Sequence, residues 1–93
     1  MKDRCLRGWT GLEALILDEN LRQLDKWGIQ DHDPFEWLVI MAEEFGELNQ
    51  AVLEHHYQPE VVKPDKIVKE AIQTATLCLK IAEMFSYTCE SDI

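Results

Sequence analysis

Glycine and proline, the residues that most often turn or stop a chain, are so sparse here that few folds remain open. Four glycines and three prolines serve 93 residues. Pro34 and Pro59 bracket a stretch interrupted only by Gly46, and neither residue type recurs after Pro64. Uninterrupted runs of that length suit helices rather than a sheet that must turn at short intervals. The apolar spacing predicts three helices, at residues 10–26, 34–56 and 64–85, each bound being approximate.

Local signals agree with that division. Thr10 is an N-cap choice with Glu13 three positions on, a capping-box spacing. Ala14, Leu17, Leu21 and Leu24 then form one apolar stripe, Lys26 suits the negative end of the helix dipole, and Gly28 stops the helix. The second start is clearer: Asp33 as N-cap, Pro34 in the first helical position and Glu36 completing the box. "HHYQPEVVKP" reads as a connector, Pro64 and Asp65 open the third helix, and "SYTCESDI" carries no periodic pattern. The expectation is a single all-α domain over residues 1–93: an antiparallel helical hairpin plus an N-terminal helix. Its four-helix-bundle-type core would be completed by oligomerisation, because so short a chain buries little surface alone.

Composition narrows the function. Eighteen acidic against nine basic residues give a formal net charge of −9, which repels a nucleic acid polymer. A phosphorylated small molecule stays accessible if divalent cations bridge the two negative partners. Cys5, Cys78 and Cys89 are odd in number and lack CxxC spacing, so neither a disulfide framework nor a zinc knuckle is expected; Cys78 reads as a packing residue. No run reaches the length of a membrane span and the start lacks a cleavage pattern, so the expected location is cytoplasmic.

The second helix raises the sharper question. At about 100° per residue, Trp37, Ile40, Met41, Leu48 and Ala51 all fall within about 60° of Glu44, which stands at the centre of the apolar arc. Glu47 lies at its edge and Glu43 outside it. In the third helix Ile67, Leu77, Ile81 and Met84 centre in the same way on Glu70, with Gln73 at the edge. Each helix thus repeats a central Glu followed three residues later by an oxygen donor. An unpaired carboxylate in an apolar seam costs several kcal/mol or takes up a proton. Facing carboxylates are worse off unless a hard divalent ion with oxygen ligands neutralises them. The competing reading is a solvated acidic rim paired with Lys or Arg. A di-iron carboxylate bundle would need Glu-x-x-His, which neither Glu44 nor Glu70 supplies.

"EEFGE" followed by "EAIQ", with "RQLDKWGIQDHDPFEWLVIMAEEFGELNQA" around the first motif, resembles the EExxE…ExxD signature of the MazG-like all-α nucleoside triphosphate pyrophosphohydrolases. The resemblance spans residues 17–85 approximately. It implies magnesium-dependent hydrolysis of a nucleoside triphosphate to the monophosphate and pyrophosphate, with Mg2+ or Mn2+ as cofactor, in a homodimer or homotetramer. Residue by residue, it implies Glu44, Glu47 and Glu70 as metal ligands and Glu43 as a supporting or water-positioning group. Gln73 stands where the pattern has Asp; its carbonyl can still coordinate, with one negative charge fewer. That departure supports an alternative: a weak or inactive relative serving as a nucleotide-binding or protein-interaction module. Substrate contacts fall to Trp27 as a stacking surface, His32 near base or ribose, and Lys69 and Lys80 toward phosphate. The plainer readings are packing or solvation for the aromatics and histidine, and pairing with nearby Glu for the lysines.

Overall fold

The computed structural model of the chain describes residues 8–91, with side chains through Ser86. Cys5 and the side chain of Cys89 lie outside the described residues. Three α-helices make up the described chain: α1 (Trp9–Trp27), α2 (Pro34–Tyr57) and α3 (Pro64–Ser91).

The second helix starts as its sequence dictates. Asp33 accepts the Glu36 amide at 2.8 Å, and the Glu36 side chain accepts the Asp33 amide at 3.1 Å. This reciprocal box satisfies two of the donors that a helix start leaves orphaned, contributing about 1 kcal/mol. At the end of α1, Gly28 takes φ 71°, and its N–H donates to the Leu24 carbonyl. That left-handed turn is one an L side chain enters only with strain. Two boundaries differ from expectation. The N-cap of α1 is Gly8, without a side-chain cap bond, so Thr10 already lies inside the helix. The third helix continues to Ser91, because nothing between Phe85 and Ser91 breaks it.

The chain runs up, down and up. Met41 meets Cys78 and Glu47 meets Glu70, so α2 and α3 are antiparallel, as the short connection between them requires. The connection is pinned from inside: His55 Nδ1 sits 2.6 Å from the Val62 carbonyl, and Val62 is buried. Trp37, Ala51, Val62 and Leu77 form the buried apolar core. Thr74 and Thr76 are buried with them, each hydroxyl donating to the carbonyl four residues back. Cys78, expected in the core, is exposed; the periodicity that fixes Leu77 inward turns its neighbour out.

The largest departure concerns α1. Its leucine stripe does not pack: Leu17 is 56% exposed, Leu21 54% and Leu24 41%, and Ala14 is exposed too. The face turned to α3 carries Glu19 and Gln23, both buried. Leu17 stands about 160° from Glu19 around the helix, so seating one face exposes the other. The polar face can be buried because its groups satisfy each other. The Arg22 guanidinium grips Glu19 through two bonds of 2.8 and 2.7 Å, and the Gln23 amide adds a third at 2.7 Å. Lys80 of α3 donates to the Gln23 carbonyl and stands 4.9 Å above the Trp37 ring, joining all three helices at one ammonium. The α1 helix packs on α3 and not on α2, which leaves a cleft between α1 and α2.

Candidate metal centre

The antiparallel pairing of α2 and α3 brings together the carboxylates that each helix places in its apolar arc. One oxygen from each of Glu44, Glu47 and Glu70 lies within 4.8 Å of the others. Glu70 is 8% exposed, Glu44 is half-buried and Glu47 is exposed. Burial pushes the Glu44 carboxyl above its usual range, and the charges of Glu47, Glu70 and Glu19 push it further. Glu70 is raised the same way, first by burial and then by Glu47, with Lys66 and Lys69 offsetting part of the rise. Without a cation Glu44 and Glu70 therefore hold their protons more tightly than free glutamates do.

Gln73 occupies the space between the helices. Facing two carboxylates, its amide can bond them only through nitrogen, donating to Glu44 Oε2 at 3.0 Å and Glu70 Oε2 at 3.2 Å. Read as a metal ligand, it would present its oxygen instead, which needs only a half-turn of the amide group. The donor set suits a small hard cation: three carboxylates, an amide oxygen within reach, and no sulfur or imidazole among them.

Glu44 also borders the cleft between α1 and α2, a cavity of about 280 Å³. Arg22, Gln23 and Trp27 form its α1 wall, Trp37 and Glu43 its α2 wall, and Gln73 and Leu77 its floor. A groove with two indoles, three amides and a guanidinium, ending at a carboxylate cluster, offers a partly apolar slot beside an ion site. Arg22 lies close enough to Glu44 for that charge to strengthen its own protonation, after its bonds to Glu19. Bonding to Arg22, against the opposing effect of burial, holds the Glu19 carboxyl below its ordinary range.

The other residues singled out by sequence are spread more widely. Glu43 is exposed on the rim of the cleft and outside the three-carboxylate cluster. Trp27 is half-exposed with Lys26 Nζ 4.6 Å and the Arg22 guanidinium 5.7 Å from its ring centre. His32 does not line the cleft: it stacks edge-on to Trp37 at 4.8 Å and lies 3.5 Å from Glu36. Lys69 is exposed on the far side of α1, beside Leu15 and Asp18. Lys80 is half-buried and occupied with Gln23 and Trp37; burial lowers its ammonium pKa. Glu19, Arg22 and Gln23 were not anticipated. Their signal was legible, since an i, i+3 Glu–Arg pair and an i, i+4 Glu–Gln pair share one residue.

No protein-family model, no curated protein sequence and no solved structure matches this chain at a significant level. Among the described residues, no helix is long and apolar enough to cross a membrane.

Proposed function

We propose that Glu44, Glu47 and Glu70 bind a divalent cation, Mg2+ or Mn2+, and that the chain hydrolyses a nucleoside triphosphate to the monophosphate and pyrophosphate. The observation that carries this reading is the juxtaposition of three converging carboxylates, anchored by the buried Glu70, with an indole-lined cleft that shares Glu44. When bound, the cation supplies charge neutralisation for the triphosphate oxygens and acidifies a coordinated water. The chain's own residues do the rest. Trp27 stacks on the base, Arg22 offers the cleft a cation, and Glu43 on the rim holds the attacking water. That water adds to the α-phosphorus, the bond to the α,β-bridging oxygen breaks, and pyrophosphate departs. The resemblance of "EEFGE…EAIQ" to the MazG-like signature points the same way.

The test is product analysis across ribo- and deoxyribonucleoside triphosphates with Mg2+. Monophosphate with pyrophosphate supports the reading; orthophosphate alone, or no product from any nucleotide, refutes it. One observation favours a second reading, a nonhydrolytic nucleotide-binding or protein-interaction module. Gln73 already relieves Glu44 and Glu70 by donating to both, so the cluster depends less on a cation. Isothermal titration singles out a pure interaction module, which takes up neither Mg2+ nor Mn2+ up to millimolar concentrations, and the product analysis singles out a nonhydrolytic nucleotide binder.

A further inference from the structure

Lys80 is the misfit among the cations of the chain. Every other lysine and arginine among the described residues is exposed, whereas Lys80 is half-buried. A charge drawn out of water ordinarily needs an opposite charge beside it. The chain has 18 acids to 9 bases, yet no carboxylate among the described residues forms an ion pair with this ammonium. Its partners are neutral: the Gln23 carbonyl, and the Trp37 ring 4.9 Å away. An ammonium carries three donors, so the bond to Gln23 leaves capacity for another acceptor.

The side chain borders open space. Lys80 does not line the cleft that reaches Glu44; it lines a separate cavity of about 330 Å³ among the last turns of α1, the loop that follows and α3. Gln23, Gln30 and Trp37 line both cavities and so form the partition between them. Asn20 adds a second amide beside Gln30, while Leu24, Ile29 and Met84 supply an apolar wall. The one acid lining this space, Glu83, is exposed.

We propose that this cavity is a second ligand site, for a small organic anion that carries one carboxylate on an apolar body, the carboxylate bonding Lys80. A lone ammonium matches a single negative charge. A phosphate monoester, doubly charged near neutrality, brings a second charge that Lys80 leaves unmatched and Glu83 repels. The amides of Asn20 and Gln30 can donate to the other carboxylate oxygen. Leu24 and Ile29, 41% and 93% exposed, lose contact with water when a hydrocarbon covers them. The volume is that of a small-molecule cavity. The net charge of −9 does not forbid an anion here. Arg22 already neutralises Glu19, the acid whose charge reaches Lys80, and acids beyond roughly 8 Å are largely screened at physiological ionic strength.

The site does not rest on the cation reading and is tested without metal. Hexanoate is titrated into the isotope-labelled chain in EDTA, and the side-chain amide signals of Asn20, Gln23 and Gln30 and the Trp37 indole signal are followed. Saturable shifts are expected, with a dissociation constant of roughly 1 mM, the strength open to so small a ligand. Uncharged hexanamide and doubly charged butyl phosphate are each expected to bind about tenfold more weakly or worse. Asn20 and Lys80 line the same cavity, so Asn20→Asp gives the ammonium a carboxylate of the chain's own at almost unchanged volume. That variant and Lys80→Met, with helical circular dichroism retained, are each expected to weaken hexanoate about tenfold or more. If Lys80→Met fails to fold, Asn20→Asp decides. No saturation up to roughly 20 mM hexanoate overturns the proposal and leaves Lys80 as a clamp on α1 alone. Hexanamide binding as tightly as hexanoate overturns it too, as does undiminished hexanoate binding in either folded variant. Butyl phosphate binding more tightly than hexanoate overturns the choice of a carboxylate.

Discussion

Gln73 donates through its amide nitrogen to Glu44 Oε2 at 3.0 Å, so the side chain best placed to help hold a cation also substitutes for one. The same nitrogen reaches Glu70 Oε2 at 3.2 Å and draws together two carboxylates that burial has already made reluctant to ionise. A cation entering the cluster must displace that donor and turn the amide around.

Replacing Gln73 with Asp removes the neutral donor and adds a fourth charge. Isothermal titration is expected to show Mn2+ binding tightened about tenfold, equivalent to about 1.4 kcal/mol. The same variant in EDTA is expected to melt lower than the parent, because four acids then face one another unrelieved. An unchanged affinity places the side chain outside the ligand set.

Glu44→Gln and Glu70→Gln each remove a proposed ligand and a source of repulsion together. Both variants are expected to lose pyrophosphate release and the upward shift in melting temperature with Mg2+. In EDTA they are expected to melt at or above the parent's temperature, since an amide in each position ends a like-charge contact. Parent-like turnover in either one removes that residue from the site.

A carboxyl whose pKa is higher in the folded chain than in the unfolded one binds its proton more tightly when folded. Its contribution is therefore present at low pH and is lost as pH climbs through the interval between the two values. For Glu44 and Glu70 that interval begins near the ordinary 4.5 and extends upward. Glu19 has the opposite sign: Arg22 holds its pKa down, so its contribution is lost as pH falls below 4.5. Thermal unfolding in EDTA is expected to show a falling melting temperature as pH rises from 4.5 toward neutrality. Millimolar Mg2+ should remove most of the fall. A melting temperature that rises steadily over that range contradicts the assignment.

Lys80→Ala tests how α1 is held. The substitution deletes the donor to Gln23 and the cation over Trp37, leaving a buried amide oxygen short of a partner. A loss of about 1–3 kcal/mol is expected. Amide exchange should quicken in α1 far more than in the α2–α3 pair. Uniform acceleration across all three helices shows instead that Lys80 supports the whole bundle.

The hairpin was readable because its signals are local. Asp33, Pro34 and Glu36 define a start within four residues, and the wheel around Glu44 and Glu70 predicts which acids converge. The orientation of α1 was not readable from its apolar stripe. Leucine periodicity says which face is greasy, not which partner covers it, and here α3 takes the polar face because Arg22 neutralises Glu19 and the Gln23 amide donates to it. The cleft was hidden for the same reason, since its α1 wall consists of residues on that unexpected face. Gln73 was visible as a departure from an acidic pattern, but that its nitrogen serves both neighbouring acids depends on how closely the two helices approach.

Because α1 rests on α3 alone, the opening of the cleft and the spacing of the acids are set by different joints. Any swing of α1 about its seat at Gln23 and Lys80 would change the width of the slot beside Trp27. The distance from Glu44 to Glu70 belongs to the hairpin and stays as it is. The girth of what the cleft admits is thus a property of the α1 seat, and the grip on an ion a property of the hairpin.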